Sequence, residues 1–152
     1  MGEGCKNSDV VEFRHCLIES DTLPKEEQLR KIRELNLPCS AIVDSGGKSI
    51  HAIVKIDAGN DEKLYRERVS KLHDFLAKNG FPVDKACKNP SRLSRIAAVT
   101  RNGKRQRLIA TNAGMPSYQK WQDNCDIGNV LSNTIDDFWN ANANDMSDCL
   151  LG

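Results

Sequence analysis

Apolar and polar residues alternate strictly near the middle of the chain. Ile50, Ala52, Val54 and Ile56 fall on one face, and Ser49, His51, Ile53 and Lys55 on the other. The period of two predicts a strand over 49–57, with the apolar face packed under helices and the mixed face left open. Just before it, Cys39 to Asp44 is a short apolar strand, and Ser45-Gly46-Gly47-Lys48 reads as the hairpin turn between the two. Apolar and β-prone residues from Phe13 to Glu19 predict an earlier strand. There Cys16 and Ile18 suit the covered face and His15, Leu17 and Glu19 the open one, with Asp21 following in phase at the strand end.

Elsewhere the period changes. Leu29, Ile32 and Leu35 recur at helical spacing after Leu23-Pro24, with Glu26 and Glu27 in the first turn and Pro38 ending the run. Leu64, Val69, Leu72, Phe75 and Leu76 mark the face of a longer helix that Gly80 caps. Residues 81–102 are irregular, Asn102-Gly103 signals a turn, and Arg105 to Thr111 reads as a last strand. The order strand, helix, strand, strand, helix, strand predicts an α+β, RRM-like or ferredoxin-like βαββαβ sandwich, its helices covering one face of an antiparallel sheet. The expected core is 1–112, followed by a C-terminal extension, 113–152, that is helical or partly disordered. From Trp121 onward that extension has no Lys or Arg and is rich in Asn and Asp.

Bulk composition excludes more than it identifies. The chain has 152 residues, 39% hydrophobic and 28% charged, as expected of one globular domain with a real core. The six cysteines include no CxxC pair, and none of the three histidines stands at zinc-ligand spacing from a cysteine. They read as reduced thiols of a cytoplasmic protein. No apolar run is long enough to span a bilayer, so no membrane partner is expected.

Net charge is only +1, but it hides a stripe. Lys85, Lys88, Arg92, Arg95, Arg101, Lys104, Arg105 and Arg107 follow one another with no acid between them. Such a stripe suits a phosphate backbone or a triphosphate, and the arginine spacing in Ser91-Arg92-Leu93-Ser94-Arg95 suits directed phosphate contacts. An ordinary charged surface loop is the alternative. Open-face alternation would bring Glu19 and Asp21 near Ser49 and His51. Two carboxylates at a strand end can hold Mg²⁺ or Mn²⁺, the hard cations of phosphoryl transfer. Ser49, His51, Lys48 and the Gly46 and Gly47 amides could hold a triphosphate. Alone, an E-x-D is equally a solvated turn and the Gly-Gly pair an ordinary hairpin turn. Gly47-Lys48-Ser49 is not the end of a Walker A loop, because Ile42 stands where that loop's first glycine belongs.

These residues resemble the archaeo-eukaryotic primase superfamily, in particular the primase-polymerase catalytic cores of phage, plasmid and mobile-element replication proteins, over about Lys6 to Asn112. Ile18-Glu19-Ser20-Asp21 looks like the family's metal-binding acid pair. Ser45-Gly46-Gly47-Lys48-Ser49-Ile50-His51 looks like its S-x-H motif, which grips the incoming nucleotide. Asn89-Pro90-Ser91-Arg92-Leu93-Ser94-Arg95 resembles the block near its third motif, where Asp84 is the nearest acid.

The resemblance implies a metal-dependent, template-directed nucleotidyltransferase, a DNA primase-polymerase core. Glu19 and Asp21 would hold Mg²⁺ or Mn²⁺ and, with His51, form the catalytic set. Ser45, Gly46, Gly47, Lys48, Ser49, His51, Arg92 and Arg95 would bind nucleotide; Arg101, Lys104, Arg105 and Arg107 would bind nucleic acid. The implied partners are nucleotide triphosphates, single-stranded template and primer, and a helicase in a longer parent protein. Two rivals share the sheet. An RRM-like binding module would want aromatic residues on the open face of the third strand, and none is there. A replication-initiator nuclease would want paired histidines, and His51 has no neighbouring partner.

Overall fold

A computed structural model of the chain describes residues 6–92, 94 and 97–128. Residues 1–118 form one compact unit and 119–152 a second. The first is an α+β fold built on a four-stranded antiparallel sheet: β1 (His15–Ile18), β2 (Cys39–Asp44), β3 (Ile50–Lys55) and, after the short strands β4 (Thr100–Arg101) and β5 (Lys104–Arg105), β6 (Arg107–Ala113). Two helices, α1 (Lys25–Glu34) and α2 (Glu62–Lys78), complete it. Of the second unit, residues 119–128 are helical. No helix among the described residues is long and apolar enough to cross a membrane.

The alternation in β3 decides which way the sheet faces. Ile50, Ala52 and Val54 are all but inaccessible, while Ile53 and Lys55 are half-exposed. Cross-strand pairing puts Cys16 opposite Val54 and Ile18 opposite Ala52, so these four share the covered face. Helix α1 reaches it through the fully buried Gln28 and through Ile32, and α2 through Tyr65, Val69, Leu72 and Leu76. Tyr65 lies beside the Cys16 thiol and packs on Phe13, ring centroids 5.2 Å apart. The α2 N-terminus is closed by Asp61, whose carboxylate accepts the Leu64 N–H at 3.0 Å. Past its other end, Gly80 takes φ +73° and the Phe81 N–H returns to the Leu76 carbonyl.

Two features depart from the sequence expectation. The sheet order is β1-β3-β2-β6. β1 and β3 are neighbours, as an RRM-like order requires, but β6 joins β2 instead of β1, so β1 is an outer strand. Its outer edge is partly closed by the 3₁₀ turn Lys85–Lys88: the Asp84 N–H donates to the Glu19 carbonyl and the Cys16 thiol to the Cys87 carbonyl. The last strand also starts later than expected. Thr100-Arg101 and Lys104-Arg105 pair as a separate hairpin, because Asn102 and Gly103 both take positive φ (51° and 74°), the twist that a two-residue hairpin turn needs.

Candidate active site

β1 delivers Glu19 to the sheet's open face. Continuing the β1–β3 register one step past Ile18–Ala52 sets Glu19 across from His51, and their side chains meet there, Glu19 Oε2 lying 2.7 Å from His51 Nε2. Both are buried. Ser49, two residues before His51, donates its hydroxyl to the same carboxylate oxygen at 3.3 Å. The other oxygen, Oε1, accepts from Arg92 Nη2 at 2.8 Å, and Arg92 also reaches Asp84 at 3.3 Å.

These contacts set the charge state of the site. Burial pushes the His51 imidazole below its ordinary range; Glu19 pulls it up and Arg92 adds to the depression. A neutral ring with its proton on Nε2 satisfies the geometry: Nε2–H donates to Glu19 and Nδ1 accepts from the Ser94 hydroxyl at 3.3 Å. The hydrogen bond to Glu19 raises the Arg92 pKa, keeping its guanidinium cationic.

The wall opposite is the β2–β3 turn. Asp44 closes it by accepting the Gly46 N–H at 2.8 Å and is itself held by Lys25 at 2.5 Å. The Ser45 hydroxyl accepts the N–H groups of Gly47 (3.2 Å) and Ser49 (3.4 Å). Gly46 has φ +75°, and a Cβ there would stand 3.2 Å from the Arg105 carbonyl oxygen. Only glycine fits both the turn and the close approach of the β4–β5 hairpin.

Together these elements enclose an open cleft of about 530 Å³. Glu19, Asp21, Lys48, Ser49, His51 and Arg92 line it, with Ser45, Gly47, Ser94 and Arg101. The polar atoms are of two kinds: acids on the β1 side, and hydroxyl, imidazole, ammonium and guanidinium groups around them. That pairing suits a polyanion carried with a hard cation.

No family model matches the chain, and no curated protein sequence matches it. One solved structure does: the AEP domain of the primase-polymerase of cyanophage S-2L, with a TM-score of 0.60 at 21% identity. The chain has the fold of a primase-polymerase AEP domain. The match covers 78% of this chain and 63% of that one, so the chain spans less than two thirds of the length of the phage domain.

Within the AEP-type fold, the residues singled out in the sequence are placed as follows. Glu19, Asp21, Ser45, Gly47, Lys48, Ser49, His51 and Arg92 come together in one cleft, and Gly46 forms its turn. Arg95 lies outside the described residues. The basic stripe divides. Arg101 enters the cleft, Lys104 joins it around a smaller hollow of about 260 Å³ against Gly46 and Gly47, and Arg105 pairs with Thr100. Arg107 stands instead across from Asp44, whose carboxyl burial pushes up but Lys25, the Gly46 N–H and Arg107 hold below its usual range.

The sequence assigned no role to three contributors. Asp84 shares Arg92 with Glu19, and side-chain ligand atoms of Glu19, Asp84 and Cys87 lie within 4.8 Å of one another. Burial, chiefly, raises the Cys87 pKa to about 12, and a thiol is a soft group beside two carboxylates whose oxygens suit a hard cation. Ser94 supports His51. Gln28, inside α1, accepts the Ile50 N–H at 2.9 Å and donates to the Leu23 carbonyl at 2.6 Å. It thereby anchors the backbone between Ser49 and His51.

Proposed function

We propose that the chain is the core of a metal-dependent, template-directed nucleotidyltransferase of the DNA primase-polymerase type. The reading is carried by one observation: Glu19 from β1 and His51 from β3 meet at 2.7 Å inside a cleft that also holds Asp21, the glycine turn and Arg92. Acid donors and phosphate donors share one hollow, as transfer of a nucleotidyl group requires. The AEP-type fold supports it.

The acids fit Mg²⁺ or Mn²⁺ because they offer carboxylate oxygens: those of Glu19 and Asp84 lie within 4.8 Å of one another, and Asp21 lines the same cleft. Glu19 and Asp21 would hold the ion, which when bound neutralises charge on the transferring phosphoryl group. Lys48 donates to phosphate oxygens, Ser49 and His51 would do so by exchanging their present bonds to Glu19 for bonds to the phosphates, and the Ser45–Gly47 turn closes the far end. Arg92 and Arg101 enter from two sides and balance the triphosphate charge. The reaction joins a 3′-hydroxyl oxygen to the α-phosphorus and breaks the bond to the leaving pyrophosphate, so no nucleophile from the protein is needed. Lys104 and Arg105 on the exposed hairpin contact template phosphates. In this assignment Arg101 serves the nucleotide rather than the template.

Primer extension on single-stranded DNA with Mn²⁺ and labelled nucleotides tests the proposal. Asp21 is exposed, so Asp21→Ala should abolish extension while leaving thermal stability within about 0.5 kcal/mol of the parent. Extension at the parent rate in Asp21→Ala refutes the assignment of the acid pair.

A further inference from the structure

We propose that a second cavity, beside β1, is a nucleoside subsite that takes the base and sugar of the nucleotide whose triphosphate occupies the neighbouring cleft; the assignment rests on the nucleotidyl-transfer reading above. The cavity measures about 570 Å³, inside the roughly 300–1,000 Å³ typical of small-ligand sites. Leu17 and Ile53, a cross-strand pair on the open face, contribute to its lining. Two residues further along the same register come Glu19 and His51. The two pairs therefore lie on one face of the sheet, about 6.6 Å apart along the strands. Arg92 and Ser94 line both hollows. They are the residues bonded to the centre of the site, Arg92 to Glu19 and Ser94 to His51. A ligand whose phosphates reach Ser49 and His51 meets this partition next and continues over Leu17 and Ile53.

The lining suits a nucleoside. Val10, Val11 and Pro90 add apolar surface to that pair. Val11 is 78% exposed, which leaves its side chain available for contact with a flat ring. Asn89 brings an amide that both donates and accepts, matching the edge of a nucleobase. Phe13 and Tyr65 also line the cavity but are buried against each other, and Glu12, Arg14 and His15 add polar groups, so the base lies mainly on the aliphatic side chains. Such a surface grips any base, and the four nucleotides should bind alike.

Equilibrium binding of a nucleoside triphosphate and of inorganic tripolyphosphate, each with Mn²⁺, separates the two hollows. The parent should bind the nucleoside triphosphate about tenfold more tightly than tripolyphosphate, the scale of burying one ring against aliphatic side chains. Val11→Ser, at an exposed position, and Ile53→Trp, which fills the cavity, should each remove most of that preference and leave tripolyphosphate affinity unchanged. Equal affinity of the parent for both probes, or an undiminished preference in the Val11→Ser protein, overturns the subsite. So does a loss of single-stranded DNA binding in place of nucleotide binding, which would give the cavity to primer or template. If the parent binds neither probe, the nucleotidyl-transfer reading falls, and the subsite with it.

Discussion

Gln28→Leu isolates the contribution of one buried polar side chain to the site. The replacement has similar volume, so it leaves little cavity and adds no strain. It strips the Ile50 N–H and the Leu23 carbonyl of their partners at 2.9 and 2.6 Å, in a place where Gln28 itself is fully inaccessible. Each orphaned backbone group costs about 1–3 kcal/mol, and the added apolar contact returns roughly 1 kcal/mol. Two orphaned groups together leave a net loss of about 1–5 kcal/mol, centred at about 3 kcal/mol, against a typical domain stability of about 5–15 kcal/mol, so the variant stays folded at room temperature. Urea denaturation should show a lower midpoint at unchanged m-value. Amide exchange at Ile50 should accelerate, and nucleotide affinity should fall because Ile50 joins Ser49 to His51. A variant as stable as the parent, with Ile50 still protected, would show that water or a neighbour satisfies these groups and that Gln28 does not hold the strand.

Other perturbations separate the parts of the site. His51→Ala should weaken nucleotide binding far more than DNA binding in parallel titrations; equal losses would count against its phosphate role. Replacing Lys104 and Arg105 together by alanine should flatten the salt dependence of single-stranded DNA binding, lowering the slope of log K against log salt by about 1.4; an unchanged slope would move the template elsewhere. His73 probes stability through pH. Burial, reinforced by Lys88 and opposed by Asp74, lowers its pKa from 6.5 to about 4. The unfolded chain therefore takes up the proton first on acidification. Stability is full above about pH 6.5 and is lost as pH falls towards 4, by up to ~1.4 kcal/mol per pH unit. His73→Leu should flatten the denaturation midpoint across that window.

The alternation over Ile50–Lys55 made both the covered face and the site side of β3 legible, because burial imposes a period of two on a strand that packs on one side only. The same phase placed Glu19 correctly relative to His51. Gln28 was illegible for the converse reason. A glutamine in an amphipathic helix reads as solvent-facing, and its true partners are backbone groups of Leu23 and Ile50 that no side-chain pattern reports. The position of β6 was also hidden, since β1 and β2 both offered an edge and the strand's own residues do not distinguish them. Arg101 and Arg107 looked like members of one stripe. Pairing across Asn102-Gly103 turns Arg101 into the cleft, while the β2 register sets Arg107 against Asp44.

The strand order also carries a kinetic consequence. β2 and β3 are joined by a tight turn and occupy the middle of the sheet, so their pairing closes a short loop and is available early. β1 must find β3 across some 35 residues of chain, and the segment bearing Asp84 and Arg92 arrives from further still. Chain closures of that length are slower, and elements added at a periphery open first in native fluctuations. The scaffold can thus persist while its acidic half detaches, which makes the cleft more fragile to mild denaturant than the fold that supports it.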